Sequence, residues 1–88
     1  MIKNTYNTKL TDSLTMYHVV LTYGYNLKKV TEVSDWCYNQ FGNPIEEVYS
    51  IKLIEQSAGV WYNKMGYGEI IFKYERDFTM FLLRWGIS

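Results

Sequence analysis

The chain has 88 residues, with nine basic and nine acidic side chains, one histidine and one cysteine. That length makes a single domain. The balanced charge argues against a dedicated nucleic-acid binder, whose footprint is a basic excess, and a lone cysteine excludes an intramolecular disulfide. Aromatic residues make up 18% of the sequence. Each buried ring removes roughly 150–250 Å² from water, which offsets the modest fraction of surface that so short a chain buries. No apolar run approaches the ~20 residues of a membrane span, and the first residues lack the apolar stretch of a signal peptide. The expectation is a soluble, cytoplasmic domain.

Residues 1–15 are polar, rich in Asn and Thr, and without a sustained period. They read as a flexible arm ahead of a single domain at 16–88. Residues 17–25 predict the first strand, with Tyr17, Val19, Leu21 and Tyr23 on one face and His18, Val20 and Thr22 on the other. Asn26 is a good N-cap for a helix over 26–41. Leu27, Val30, Ser34, Cys37 and Phe41 run along one side of it, and Gly42 and Pro44 end it. Residues 48–55 read as a second strand, with Tyr49, Ile51 and Leu53 on the richer apolar face. Residues 60–65 and 69–74 form a hairpin turned by Gly66, Tyr67 and Gly68. Placing Met65 opposite Glu69 sets Tyr62 against Phe72. Asp77 then caps a last helix over 78–85, where Phe78, Phe81, Leu82 and Trp85 repeat at i, i+3, i+4 and i+7.

The fold expected from this order is α+β, β-α-β-β-β-α, an antiparallel sheet with two helices packed on one face, ferredoxin-like or related. Strand parity leaves a second face that includes His18, Lys52, Ile54, Trp61, Ile71 and Lys73. It is too polar for an interior and too apolar for an idle surface. The reading is a protein interface. Trp61, Ile54 and Ile71 form its anchor, Lys52 and Lys73 its rim, and Tyr67 stands at the hairpin tip. Occlusion of a partner surface, or strand addition at an open edge, would be the mechanism, and a homodimer suits the same edge. The alternative is an RNA or single-stranded nucleic-acid module, with bases stacked on Trp61 or Tyr67 and phosphates on the lysines. The plain alternative is that the N-terminal arm covers the face.

Catalytic chemistry is sparse. His18 and Cys37 are expected on opposite sides of the sheet, so neither a zinc site nor a Cys–His pair is assembled, and Cys37 reads as a small buried hydrophobe. Glu46 and Glu47 lie in a loop. Glu75 and Asp77 sit at a helix start, where negative charge complements the dipole. The glycines match no phosphate-binding loop. The expectation is therefore no enzyme, no cofactor and no metal, with an unrecognised enzyme as the third reading.

Residues 72–86, FKYERDFTMFLLRWG, place an aromatic-Lys-aromatic step before an acidic-basic-acidic cap and a helix ending Phe-Leu-Leu-Arg-Trp. This segment resembles the tail of small uncharacterised accessory proteins of tailed bacteriophages. The resemblance implies an early-expressed protein in the host cytoplasm that binds and redirects a host enzyme, toxin or defence component. It carries over no catalytic residue; Arg84 and Trp85 match its end pattern.

Overall fold

The computed structural model describes residues 2–22, 27–46 and 50–86. Its strands are β1 (Ile2–Thr11), β2 (Leu14–Leu21), β3 (Trp61–Lys64) and β4 (Glu69–Phe72), and its helices are α1 (Leu27–Phe41), α2 (Ile51–Gln56) and α3 (Glu75–Trp85). The strands form one antiparallel sheet in the order β1-β2-β4-β3. The molecule is thus α+β, but its chain order is β-β-α-α-β-β-α.

Two segments differ from the sequence expectation. Residues expected as an arm are the ten-residue edge strand β1, paired with β2 from Ile2↔Leu21 to Thr11↔Leu14. Its apolar alternation is weak because both sides of an edge strand meet water along most of its length. The expected strand at 48–55 is in its described part the short helix α2, so Ile51 and Leu53 are exposed rather than in the core. Ser50 caps that helix, its Oγ accepting from the Leu53 N–H at 3.2 Å. The expected cap at Asn26, and Tyr23 and Tyr49 of the expected strands, lie outside the described residues.

One face of the sheet carries Val19, Leu21, Trp61, Ile70 and Phe72, and these pack with Val33 and Cys37 of α1 and Phe81 and Trp85 of α3. Phe72 and Trp36 each meet three other rings, and the ring centroids of Phe41 and Phe81 are each 5.4 Å from that of Phe72. The chain leaves α1 through Gly42 (φ 77°), whose N–H donates to Tyr38 O. α3 begins three residues earlier than expected. Tyr74 is its N-cap and Asp77 lies buried inside the first turn.

The β3–β4 hairpin decides which side chains face these helices. Met65–Tyr67 forms a 3-10 turn, closed by Gly68 in the left-handed region (φ 73°), which a residue with a Cβ adopts only at a cost. Because Met65 belongs to the turn, Lys64 and not Met65 lies opposite Glu69, and Trp61 pairs with Phe72. A shift of one residue exchanges the faces of a strand. Trp61, expected on the open face, is consequently in the core at 0% exposure. Its indole N–H donates to Gly42 O at 2.9 Å. Nearby, a Cβ on Gly59 would stand 2.8 Å from the backbone nitrogen of Ile45, so only glycine lets these two segments approach.

A Trp61→Ala variant should lose about 3–5 kcal/mol of stability, the usual effect of deleting a buried large aromatic. Urea unfolding followed by far-ultraviolet circular dichroism measures this. An unchanged midpoint would contradict the placement of Trp61 in the core.

Candidate functional site

The second face of the sheet is built from the alternate residues of the same strands. Tyr6 lies opposite His18, His18 opposite Ile71, and Ile71 opposite Tyr62, giving one row across all four strands. The adjacent row brings Val20, Glu69 and Lys64 together. α2 covers the other end of this face, where Ile54 is buried with Leu14, Met16 and Ile45 in a second, smaller core.

Four polar side chains on this face form a connected network. His18 Nδ1 is 2.6 Å from Glu69 Oε1, and both side chains are largely buried. The Tyr6 hydroxyl donates to the same oxygen at 2.8 Å. Thr8 Oγ1 lies 2.9 Å from His18 Nε2. The Tyr6 ring stacks on the imidazole, with centroids 4.2 Å apart and planes 10° from parallel. Burial pushes the Glu69 carboxyl up, but hydrogen bonds from His18 and Tyr6, with the electrostatic influence of His18 and Lys64, outweigh it and hold the group below its ordinary range. The hydrogen bond to Glu69 is the main cause that raises the Tyr6 hydroxyl, followed by desolvation and the carboxylate charge. An ionised carboxylate only accepts. The His18 Nδ1–H therefore donates to Glu69, and Nε2 meets the Thr8 hydroxyl on the other side of the ring.

Beside this network lies a cavity of about 210 Å³. Leu10, Met16, Ile54 and Ile71 give its apolar walls, Tyr62 and Lys64 its rim, and Thr8 and His18 its one polar corner. A larger cleft of about 660 Å³ between the 43–46 and 56–59 segments has, among the described residues, Glu46 as its one titratable side chain. Its chemistry is poorer, despite its size.

The structure separates the residues singled out from the sequence. Ile54 and Ile71 come together as cavity walls. Tyr67 stands at the hairpin tip, 87% exposed, with Lys64 Nζ 5.7 Å from its ring centroid. Lys52 is exposed on α2. Trp61 is not on this face. Lys73 is 8% exposed and is no rim cation, since its Nζ donates to the carbonyls of Glu55 (3.1 Å) and Ser57 (3.0 Å) at the C-terminal end of α2. Tyr6, Thr8, Glu69, Tyr62 and Lys64 were not singled out. Only the strand register joins Glu69 to His18, from which it is separated by 51 positions.

On the helix-packed face, burial pushes the Cys37 thiol up to about 12, the setting of a packed rather than an activated cysteine. Among the described residues no three His, Cys, Asp or Glu side chains converge as a metal site, and no helix is long and apolar enough to cross a membrane. No protein-family model matches the chain, and searches of curated proteins and of solved structures found no match either.

The network has a testable acid dependence. Because the folded state lowers the Glu69 carboxyl below its ordinary 4.5, its stabilisation is present above that value and is lost as pH falls through the folded value. Thermal melts should show the unmodified protein above Glu69→Gln at neutral pH, with the difference closing in acid. A pH-independent difference would mean that the charge of Glu69 contributes nothing.

Proposed function

We propose that this chain is a small, non-enzymatic accessory domain that binds a protein stoichiometrically and modulates it by occluding the partner's surface. The observation that carries this reading is the apolar-walled cavity of about 210 Å³ open on a sheet face. Sites for drug-sized ligands usually measure ~300–1,000 Å³. A cavity this size suits one inserted side chain. On the same face Tyr6 is half-exposed, in the row of His18 and Ile71, and Tyr67 stands exposed at the hairpin tip. An aromatic anchor site with a mixed rim is the usual anatomy of a protein interface. The phage-type setting, with a host enzyme, toxin or defence component as the target in the host cytoplasm, rests on the resemblance of residues 72–86. Burial of Trp61 removes one of the two rings on which the nucleic-acid alternative relied, leaving Tyr67, and the charge balance gives that alternative no support.

Capture from a bacterial lysate, with and without nuclease, tests the reading. One stoichiometric protein should survive nuclease treatment. Against that purified partner, Tyr62→Ala should weaken binding at least ~10-fold, about 1.4 kcal/mol, with its melting temperature nearly unchanged. Lys52→Ala, a rim charge, should mainly alter the association rate and its salt dependence. Loss of all captured protein on nuclease treatment would move the assignment to RNA, and full affinity in Tyr62→Ala would take the interface off this face.

A further inference from the structure

The ladder bonds fix which main-chain groups of β1 point away from the sheet. The Leu21 N–H donates to Gly68 O at 2.8 Å, toward the β4 side of β2. Main-chain groups alternate sides along an antiparallel strand, so Tyr17, Val19 and Leu21 direct theirs at β4, whereas Met16, His18 and Val20 direct theirs at β1. The partners of those last three are Thr8, Tyr6 and Asn4. The intervening Thr5, Asn7 and Lys9 therefore send N–H and C=O outward, on a strand that ends the sheet. Among the described residues no other backbone group pairs with them. Bulges commonly blunt such an edge. In β1 the irregularities lie only at its ends, between Ile2 and Asn4 and between Lys9 and Thr11, and the run from Asn4 to Lys9 is regular.

We propose that this edge takes a second copy of the chain, β1 pairing antiparallel with β1 about a two-fold axis through Asn7. Such a contact needs a strand that matches its own reverse. Outward residues must face outward residues, which leaves two centred registers for the regular run, on Tyr6 or on Asn7. Centring on Tyr6 would set Lys3 opposite the second copy's Lys9, and like charges directly opposite repel. Centring on Asn7 sets Lys9 opposite Thr5 and Tyr6 opposite Thr8, and brings Lys3 to the end of the other strand, next to Asp12. An amide both donates and accepts, so Asn7 bonds its own copy across the axis. A foreign strand added to an edge is selected through pockets for its alternate side chains. Thr5, Asn7 and Lys9 are exposed and form no such pocket, so the edge selects by charge pattern, and its own sequence satisfies that pattern. Residues directly opposed in a sheet point to the same side. The dimer thus doubles the four-stranded sheet and puts both second faces, each with its cavity, on one surface. It stands independently of the protein-binding reading; together they give a bivalent binder.

Sedimentation equilibrium over a concentration series should give twice the 10.5 kDa mass of the chain at its upper end. Amide hydrogen exchange, read residue by residue by NMR, locates the contact. In dilute solution Asn4, Tyr6 and Thr8 should be protected by the β1–β2 ladder, whereas Thr5, Asn7 and Lys9 exchange freely. Where about nine-tenths of the chains are paired, these three should slow about tenfold, because exchange then proceeds only from the monomer. Asn7→Asp keeps the size of the side chain and sets two carboxylates on the axis. It should weaken dimerisation at least ~10-fold without moving the melting temperature of the dilute protein. The mass of one chain throughout the series would overturn the dimer. A dimer whose Thr5, Asn7 and Lys9 amides exchange as they do in dilute solution would overturn β1 as its edge, and undiminished pairing of Asn7→Asp would overturn the axis at Asn7.

Discussion

Trp61 ties three parts of the molecule to one side chain. Its backbone pairs with Phe72 in the β3–β4 ladder, its carbonyl accepts from the Ile45 N–H at 2.6 Å, and its indole N–H donates to Gly42 O at 2.9 Å. The end of α1, the 43–45 segment and the edge of the sheet all meet there. Burying so large a ring leaves β3 no freedom of register, because a slip by one residue would bring it into water and replace it with Tyr62. With Trp61 inward, Tyr62 is outward. Tyr62 then meets Ile71, and Ile71 meets His18. The composition of the second face follows from the burial of one indole.

The second face is only half covered, and α2 sets the boundary. Six residues are too few to hold a helix in water alone, so α2 persists through its attachments. Ser50 caps its start, Ile54 is buried beneath it, and the Lys73 ammonium binds two carbonyls at its end. A cation at that end also complements the helix dipole. Held in this way, α2 closes the part of the face that carries Leu14 and Met16. The cavity opens where that cover stops, between Ile54 of the helix and Ile71 of the sheet.

Long amphipathic elements were legible in the sequence. The apolar periodicity of α1 and α3, the left-handed stop at Gly42 and the alternation of β2 and β4 each record burial on one side, and that record is local. β1 leaves little such record, because its partner lies on one edge only and Asn, Thr and Lys satisfy both of its faces. The segment SIKLIEQ was ambiguous for a different reason: Ile51 and Leu53 fit a strand at period two, while Ile51 and Ile54 fit a helix at i, i+3. Ser50 as a cap, and helix-favouring Lys52, Leu53, Glu55 and Gln56, were the signals for the helix. The inverted face of β3 came from one residue, Met65, counted as strand where it belongs to the turn. Of the site, Ile54 and Ile71 were found by apolarity and His18 was assigned to the open face. Glu69, Tyr6 and Thr8 were not found, since ordinary polar residues become a network only once register places them side by side.

The two faces also divide the chemistry. The core under α1 and α3 holds a thiol that burial keeps protonated and an Asp77 carboxyl raised chiefly by desolvation, with the charge of Arg76 opposing it. On the second face the polar groups of the network are already bonded to one another, so desolvating them further by seating a partner's side chain in the cavity need not strand the partners that a broken network would expose.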